Sequence, residues 1–265
     1  MRTIQTKPIK IMQSLSAVVL PENWNNAIST GFDSFDALLG NSGGVNGARY
    51  GKVILLSAQS GTGKTRLCLQ MLNSMIQHDD SLICGHFTGE QSVESLVIMG
   101  KTMGLDFEKN LMADSENEWE IIEKKIVRYK LKVVVIDSFP MLSFERHPDT
   151  NKELDTKQKA KKIADFAAEH QICIILLNHT DKKGNRAGRN ELMHLVDVAY
   201  TMRKKVYDDI KVIEFHSDKM REGSPISRAF PFSGVWDLSM PFELEESTGN
   251  ETGEANGGKV EMRKT

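Results

Sequence analysis

Cysteines and long apolar segments are both scarce in this sequence. Its 265 residues include only three cysteines, Cys68, Cys84 and Cys173, an odd number set within apolar segments. We expect buried free thiols in a reducing compartment, and no spacing typical of metal ligands is present. No apolar run approaches the roughly 20 residues that span a bilayer, and the N-terminus lacks the apolar core of a signal peptide. We therefore expect a cytoplasmic protein without membrane attachment.

A strong net charge is also absent. The formal charge is −2, so composition gives no overall signature of nucleic-acid binding. The charge is uneven, because residues 243–265 hold six Glu against three basic residues and have few apolar ones. We expect this segment to be a disordered acidic tail that could recruit a partner protein. The remainder divides into an N-terminal extension, 1–28, which could dock on a neighbouring subunit, and one core domain, 29–242.

Strand and helix patterns alternate over most of the core. The predicted buried strands are KVILLS, SLICGHFTG, KVVVIDS and ICIILL. Helical spacing of apolar residues is found in LCLQMLNSMI, in Ser92 to Met103, at Trp119, Ile122, Ile126 and Tyr129, and at Ala160, Ile163, Ala164 and Ala167. After Asp197 a hairpin is predicted, VAYTMR and IKVIEFHS joined by KKVYDD, followed by short strands RAFPF and GVWDL. We expect an α/β fold with a mainly parallel twisted sheet, flanked by helices, and a C-terminal antiparallel extension.

The segment AQSGTGKT lies between a predicted strand and a predicted helix, as a phosphate-binding loop does. Ala58 replaces the usual first glycine, but its backbone N–H still adds to the anion-binding nest. We expect Lys64 to reach the β- and γ-phosphates of ATP and the Thr65 hydroxyl to bind Mg²⁺. The predicted nucleotide-binding residues are Ala58, Gln59, Ser60, Gly61, Thr62, Gly63, Lys64, Thr65 and Arg66.

Two carboxylates follow neighbouring predicted strands. Asp137 ends VVVID, where an acid can hold Mg²⁺ directly or through water, although a strand-end Asp also caps turns. Glu90 follows the second strand and could activate the water that attacks the γ-phosphate. Its alternative role is to compensate the dipole of the following helix.

The segment NHTDKKGNRAGRN after ICIILL is basic and contains two glycines. His179 lies at the strand end, where a polar group could sense the γ-phosphate. The predicted DNA-binding residues of this segment are Lys182, Lys183, Arg186 and Arg189. A flexible basic loop suits a nucleic-acid backbone, but it could equally be a solvated surface loop.

A second basic segment, SDKMREG, follows IKVIEFH. Lys219 and Arg221 alternate and would project on the same side of an extended chain. We interpret them as cations inserted into the nucleotide site of a neighbouring subunit, the alternative being a charged hairpin turn.

The order of these motifs resembles that of the RecA-type ATPases, and most of all the core of the bacterial RadA (Sms) branch. FTGEQS is similar to its S-G-E-E-S and VVVIDS to its second nucleotide motif. NHTDKKGNRAGRNELMHLVD follows G-H-V-T-K-D-G-x-I-A-G-P-R-x-L-E-H-M-V-D without a gap. KMREG resembles K-N-R-F-G and the K-x-R-x-G of DnaB-type helicases. The resemblance runs from about Ser29 to Phe232.

The resemblance implies a RecA-like core in which Glu90 is the catalytic base and the loop Asp181 to Asn190 binds single-stranded DNA. It also implies that Lys219 and Arg221 act in trans, within a hexameric ring or a filament. The sequence departs from that branch because it contains neither a four-cysteine zinc module nor a C-terminal protease-like domain. We therefore expect a stand-alone core, bacterial or phage-encoded.

These observations predict an Mg²⁺-dependent ATPase that acts as a homo-oligomer on single-stranded DNA in recombination, repair or replication. His179 could relay loss of the γ-phosphate to the basic loop. A helicase-like motor and a strand-exchange recombinase both fit this prediction. A protein-directed signalling or scaffold ATPase like the KaiC family, without DNA binding, is the alternative from another class.

Overall fold

We describe the protein from a computed structural model. The residues described are 14–19, 25–147, 149–180, 189–207, 209–221 and 223–243. Most of the predicted N-terminal extension and nearly all of the acidic tail lie outside them, so both domain boundaries stay predictions. Within these ranges no helix has the length and apolarity to cross a membrane.

One mixed sheet dominates the structure and runs in the order β13-β12-β11-β10-β5-β9-β8-β6-β7. The strands of the described residues are β1 (Ala27–Ile28), β2 (Asn41–Ser42), β3 (Val45–Asn46), β4 (Ala48–Arg49), β5 (Val53–Ala58), β6 (Cys84–Thr88), β7 (Leu111–Asp114), β8 (Val133–Asp137), β9 (Cys173–His179), β10 (Val198–Tyr207), β11 (Ile210–Met220), β12 (Arg228–Pro231) and β13 (Phe242–Glu243). The helices are α1 (Asp33–Leu39), α2 (Lys64–His78), α3 (Val93–Thr102), α4 (Trp119–Tyr129), α5 (Thr156–His170) and α6 (Arg189–Leu195), with 3-10 turns at Leu15–Ala17 and Phe139–Met141.

The predicted parallel sheet is confirmed for its central part. β5, β6, β8 and β9 are the four predicted strands, and all of their pairings with one another are parallel. Their residues are buried on both faces, as expected where helices cover a parallel sheet. β7, which pairs with β6 at the edge of the sheet, is one of the strands that the sequence reading missed. It is short and only partly buried, so it lacks the apolar signal of its neighbours.

Helices α2 and α4 show how the apolar spacing produces the two faces of the core. Leu67, Met71 and Met75 of α2 are fully buried against one face of the sheet. Trp119 and Ile122 of α4 are buried against the other face. The helix predicted from Trp119, Ile122, Ile126 and Tyr129 is confirmed as α4, although Tyr129 at its end is 44% exposed.

The free thiols predicted for Cys68, Cys84 and Cys173 are buried in the first of these cores. Burial raises the pKa of the Cys84 thiol to about 12, because the thiolate would lose its hydration.

The antiparallel extension begins with a long hairpin. β10 pairs in parallel with β5 and β11 returns antiparallel, so the hairpin carries the sheet onward to β12 and β13. The predicted connection KKVYDD is shorter than expected, since its first four residues belong to β10. The predicted strand GVWDL was wrong. Only an isolated bridge between Phe232 and Trp236 forms there, because the chain turns back between them.

Candidate nucleotide-binding site

The phosphate-binding loop connects β5 to α2. Its last residue before the helix is Gly63, with φ 106°, and Gly61 has φ 75°, so both occupy the left-handed region that favours glycine. The backbone N–H groups that begin α2 have no partner within the helix and are available to phosphate oxygens.

Ala58 explains how the loop tolerates the missing glycine. It is the last residue of β5, fully buried and without a positive φ, so an alanine side chain introduces no backbone strain. Its carbonyl accepts the Thr180 N–H at 3.1 Å, which ties the loop to the end of β9.

Lys64 is buried within the loop. Its Nζ donates to the Ala58 carbonyl at 3.0 Å and lies 3.4 Å from His179 Nδ1. Burial lowers the pKa of Lys64, and the nearby carboxylates of Asp137 and Glu90 oppose that change. A lysine held this way is a compact positive charge at the beginning of α2, where a phosphate gains most from it.

Thr65 and Asp137 face each other across the loop. The Thr65 hydroxyl donates to Asp137 Oδ2 at 2.6 Å, and the carboxylate is 2% exposed. Burial by itself raises the pKa of Asp137, but the imidazole of His86, the Thr65 hydroxyl and the charge of Lys64 outweigh it and hold the pKa below its ordinary value. The hydroxyl and the ionised carboxylate form the oxygen donor set that Mg²⁺ takes beside a nucleotide phosphate.

His86 was not singled out from the sequence. Its ring is buried on β6 with Nε2 3.6 Å from Asp137 Oδ2, too long for a hydrogen bond. No local pattern marks a histidine in the middle of an apolar strand as a neighbour of the site, because the contact depends on the pairing of β6 with β8.

Glu90 and His179 form the centre of a hydrogen-bonded group. Glu90 Oε1 lies 2.7 Å from His179 Nε2 and accepts the Ser138 hydroxyl at 2.6 Å. A neutral imidazole that donates from Nε2 can accept the Lys64 proton at Nδ1, so one tautomer satisfies both contacts. This group connects Lys64 of the phosphate loop, the predicted base Glu90, and His179 at the end of β9.

These side chains line one pocket of about 430 Å³. Residues that the sequence reading did not assign complete its walls, namely Gln91, Met99, Lys204, Phe232 and Gly234. Gln91 directly follows Glu90, so adjacency could have suggested it. The last three come from the antiparallel extension, more than 100 positions along the chain from the loop, and no local signal links them to it.

The wall around Phe232 is attached to α2. Gln70 Nε2 donates to the Trp236 carbonyl at 2.7 Å, and Gln70 Oε1 accepts the Trp236 N–H at 3.0 Å. Arg66 adds a hydrogen bond to the Gly234 carbonyl at 3.3 Å. An aromatic ring held beside a phosphate-binding loop is suited to stacking on a nucleotide base.

Lys219 and Arg221 are not in this pocket. β11 runs antiparallel to β5, so its carboxyl end lies near the amino end of β5, where Lys219 pairs with Ala199. Their side chains donate to the carbonyls at the end of α6, Lys219 to Met193 and Arg221 to His194.

The predicted DNA-binding loop lies mainly outside the described residues. Lys182, Lys183 and Arg186 fall in the range 181–188, and only the backbone of Arg189, at the beginning of α6, is described. The assignment of these residues stays a prediction.

Comparisons with known proteins agree with the fold and the loop. No family model matches the chain. The sequence is 27% identical to "DNA repair protein RadA" of Escherichia coli over 242 residues, 91% of this chain and 50% of that protein. It is 29% identical to the protein of the same description from Rickettsia bellii over 224 residues, 83% of this chain and 45% of that protein. The chain is related to the RadA proteins.

A solved structure shows the same relationship at the level of fold. The structure described as "ATPase Domain of G40P", of the DnaB family, superposes with a TM-score of 0.64 over 84% of this chain and 93% of that one. Sequence identity is 14%, so the likeness concerns the fold. This chain spans about half the length of the RadA proteins it matches. The RecA-like fold with its phosphate loop implies nucleotide binding.

Proposed function

We propose that this RadA-related protein is an Mg²⁺-dependent ATPase whose hydrolysis is coupled to single-stranded DNA. The observation that carries the proposal is the 2.7 Å contact between Glu90 and His179. Glu90 is placed to activate water, and His179 is two residues from the basic segment that begins at Asp181. One hydrogen bond therefore joins the predicted catalytic base to the last residue of β9, two residues before the predicted DNA-binding loop.

The residues of the pocket divide the work of phosphoryl transfer. The N–H groups at the beginning of α2 and the Lys64 ammonium hold the β- and γ-phosphates of ATP in place. Glu90 accepts the proton of the attacking water through Oε2, while Oε1 keeps its contacts with His179 and Ser138. His179, which also lies beside Lys64, can then report the state of the γ-phosphate to the loop.

Thr65 and Asp137 fit the metal ion that such a reaction uses. Their oxygens lie 2.6 Å apart, and the lowered pKa of Asp137 keeps the carboxylate ionised at neutral pH. Mg²⁺ bound there would neutralise charge on the phosphates during transfer.

Lys219 and Arg221 are proposed to act in trans, which makes the working form a homo-oligomer. Their position at the edge opposite the phosphate loop means that they cannot reach the pocket of their own chain. A second copy could present them to it, in a ring or in a filament. The RadA proteins are described as DNA repair proteins, which supports a role in repair or recombination.

The test is ATP hydrolysis measured with and without single-stranded DNA. Lys64→Ala is the blank, and Lys183→Ala/Arg186→Ala removes two charges from the basic loop. We expect DNA to raise the rate and the loop variant to lose only that increase. Hydrolysis that ignores DNA would contradict the proposal and favour a protein-directed ATPase like the KaiC family. Unwinding and strand-exchange assays then separate a motor from a recombinase.

A further inference from the structure

A second pocket, of about 610 Å³, lies beside the first at the same edge of the sheet. One wall is the phosphate loop, residues 59–62, and another is the part of β10 that extends beyond β5, residues 201–205. Thr180 completes it. The pocket therefore lies against the phosphate loop and also at the residue that immediately precedes the basic segment 181–188.

The charge of this second pocket is positive. Arg203, Lys204 and Lys205 line it, all three are exposed, and none of its lining residues is acidic. Arg203 and Lys205 are alternate residues of β10 and share one face, about 6.8 Å apart at the usual rise per residue. Among the described residues, no hydrogen bond or ion pair joins either side chain to a carboxylate.

The carboxylate closest to Arg203 in the strand pairing is already engaged. Glu214, the partner of Arg203 on β11, accepts the Tyr207 hydroxyl through Oε1, and its Oε2 lies 2.7 Å from His216 Nε2. Glu214 is buried, and burial by itself would raise the pKa of its carboxyl. His216 and Tyr207, with a smaller contribution from the charge of Lys205, hold that pKa below the ordinary value. Asp209, at the tip of the hairpin, lines a different pocket. Arg203 and Lys205 are both exposed, and no described hydrogen bond or ion pair holds either of them on Glu214.

Lys204 projects from the other face of β10 and links the two pockets. Its Nζ donates to the Gly61 carbonyl of the phosphate loop and lies 6.0 Å from the centre of the Phe232 ring. The hairpin is therefore attached to the loop that binds phosphate, while its two remaining cations face outward.

We propose that this second pocket binds the phosphate backbone of single-stranded nucleic acid, with Arg203 and Lys205 as its contacts. The inference rests on the proposed function and extends it, because it places a second binding element beside the loop 181–188. Two exposed cations on one strand face, the hydroxyl group of Thr180 and no acidic lining suit a phosphodiester, which carries one negative charge per nucleotide.

The test is the salt dependence of binding to a fluorescently labelled oligothymidylate, measured by anisotropy. Arg203→Ala/Lys205→Ala is compared with the wild-type protein and with Lys183→Ala/Arg186→Ala. Arg128→Ala/Lys132→Ala is the matched control, since it also removes one arginine and one lysine from exposed positions, Arg128 in the last turn of α4 and Lys132 just before β8. Thermal unfolding checks that each variant is folded, and Arg203→Gln/Lys205→Gln replaces the alanine pair if it is not.

We expect the hairpin variant to bind more weakly and with a shallower slope of log K against log salt. Loss of two phosphate contacts should change that slope by about 1.4, at about 0.7 per contact for single strands. The control should keep the wild-type slope. If wild type binds and the loop variant weakens but the hairpin variant keeps the wild-type slope, the inference is wrong and the proposed function stands.

Two other results would overturn the inference. If wild type shows no salt-dependent binding, the proposed function fails and the second pocket fails with it. If polyglutamate displaces the oligonucleotide from wild type as well as unlabelled oligonucleotide does, and loses that ability with the hairpin variant, the pocket takes acidic peptide.

Discussion

Lysine side chains lie towards both ends of the β10–β11 hairpin, but they make different contacts. At one end Lys204 lines the nucleotide pocket of its own chain and is bonded to Gly61. At the other end Lys219 pairs with Ala199, five residues before Lys204, or about 17 Å at 3.4 Å per residue. Lys219 and Arg221 there bond to the end of α6.

This difference shows how one pair of strands can serve two nucleotide sites. The part of the hairpin at the carboxyl end of β5 completes the pocket of its own chain, and in the proposed homo-oligomer the other end would serve a second copy. The sheet itself enforces the separation, because a strand running antiparallel to β5 delivers its carboxyl end to the opposite edge.

The largest effect on ATP hydrolysis is expected for Arg221, just after the carboxyl end of β11. Arg221→Ala should lower ATP hydrolysis about 10³-fold or more, because a cation supplied by a neighbour stabilises charge in the transition state. Nucleotide affinity should change little. Mixing this variant with Lys64→Ala should restore part of the activity, since some interfaces then combine an intact pocket with an intact Arg221. Steady-state hydrolysis of the single variants and of the mixture measures this.

Arg128→Ala, at an exposed position of α4, is the control for that experiment and should leave the rate unchanged. If Arg221→Ala reduces the rate but the mixture recovers nothing, Arg221 only stabilises the end of α6, and the contrast between the two ends disappears.

The next largest effect is expected for Glu90, at the carboxyl ends of the parallel strands. Glu90→Gln should lower hydrolysis about 10²- to 10⁴-fold without loss of nucleotide binding, because the amide can hydrogen-bond to His179 and Ser138 but cannot accept a proton from water. Single-turnover hydrolysis together with equilibrium nucleotide binding measures both quantities. Glu94→Gln, four residues further on and exposed, should behave as wild type. Hydrolysis retained in Glu90→Gln would remove Glu90 from the reaction.

A smaller effect separates recognition of the base from recognition of phosphate within the same pocket. Phe232→Ala should weaken ATP binding about tenfold, since stacking a base on an aromatic ring contributes about 1–3 kcal/mol. Binding of inorganic tripolyphosphate should not change, because Lys64 and the beginning of α2 hold the phosphates. Phe232→Tyr keeps the ring and should bind as wild type. Equal weakening for both ligands would show that Phe232 supports the fold of the pocket only.

The smallest effect tests the hydrogen bonds within the hairpin. Burial, and then the adjacent Glu214 carboxylate, raise the pKa of Tyr207 to about 12. Because this folded-state pKa lies above the ordinary value of about 10, the stabilising contact is fully present below pH 10 and is lost as the pH rises through 12. The tyrosinate absorbance of wild type minus that of Tyr207→Phe should therefore titrate near pH 12.

Glu214→Gln removes the carboxylate charge beside Tyr207 and should lower the pKa of Tyr207 toward its ordinary value. A difference titration near pH 10 in the protein with Glu214 intact would contradict the contact. Glu214 would then not be held by Tyr207 and could pair with Arg203 or Lys205 instead.

The sequence predicted the parts of the site that are local. Lys64 and Thr65 belong to a contiguous motif. Asp137 ends one apolar strand and Glu90 follows the adjacent one, so a parallel sheet was sufficient to bring them together. Phe232 and Lys204 were not predicted, because their contact with the loop depends on how the antiparallel extension folds back over α2. The strand β7 was missed for a similar reason, since an edge strand needs no continuous apolar run.

The sequence alone therefore determined the central sheet, the helices that cover it and the phosphate loop, because each follows from apolar periodicity or a contiguous motif. It also determined that Ala58 could replace glycine in the nest, although the reason, an extended and buried end of β5, came from the structure. Only the tertiary structure decided at which end of the parallel strands each charged side chain lies. That choice depends on strand direction, and the direction of β11 is set by its pairing with β10 and cannot be read from the residues of β11 themselves.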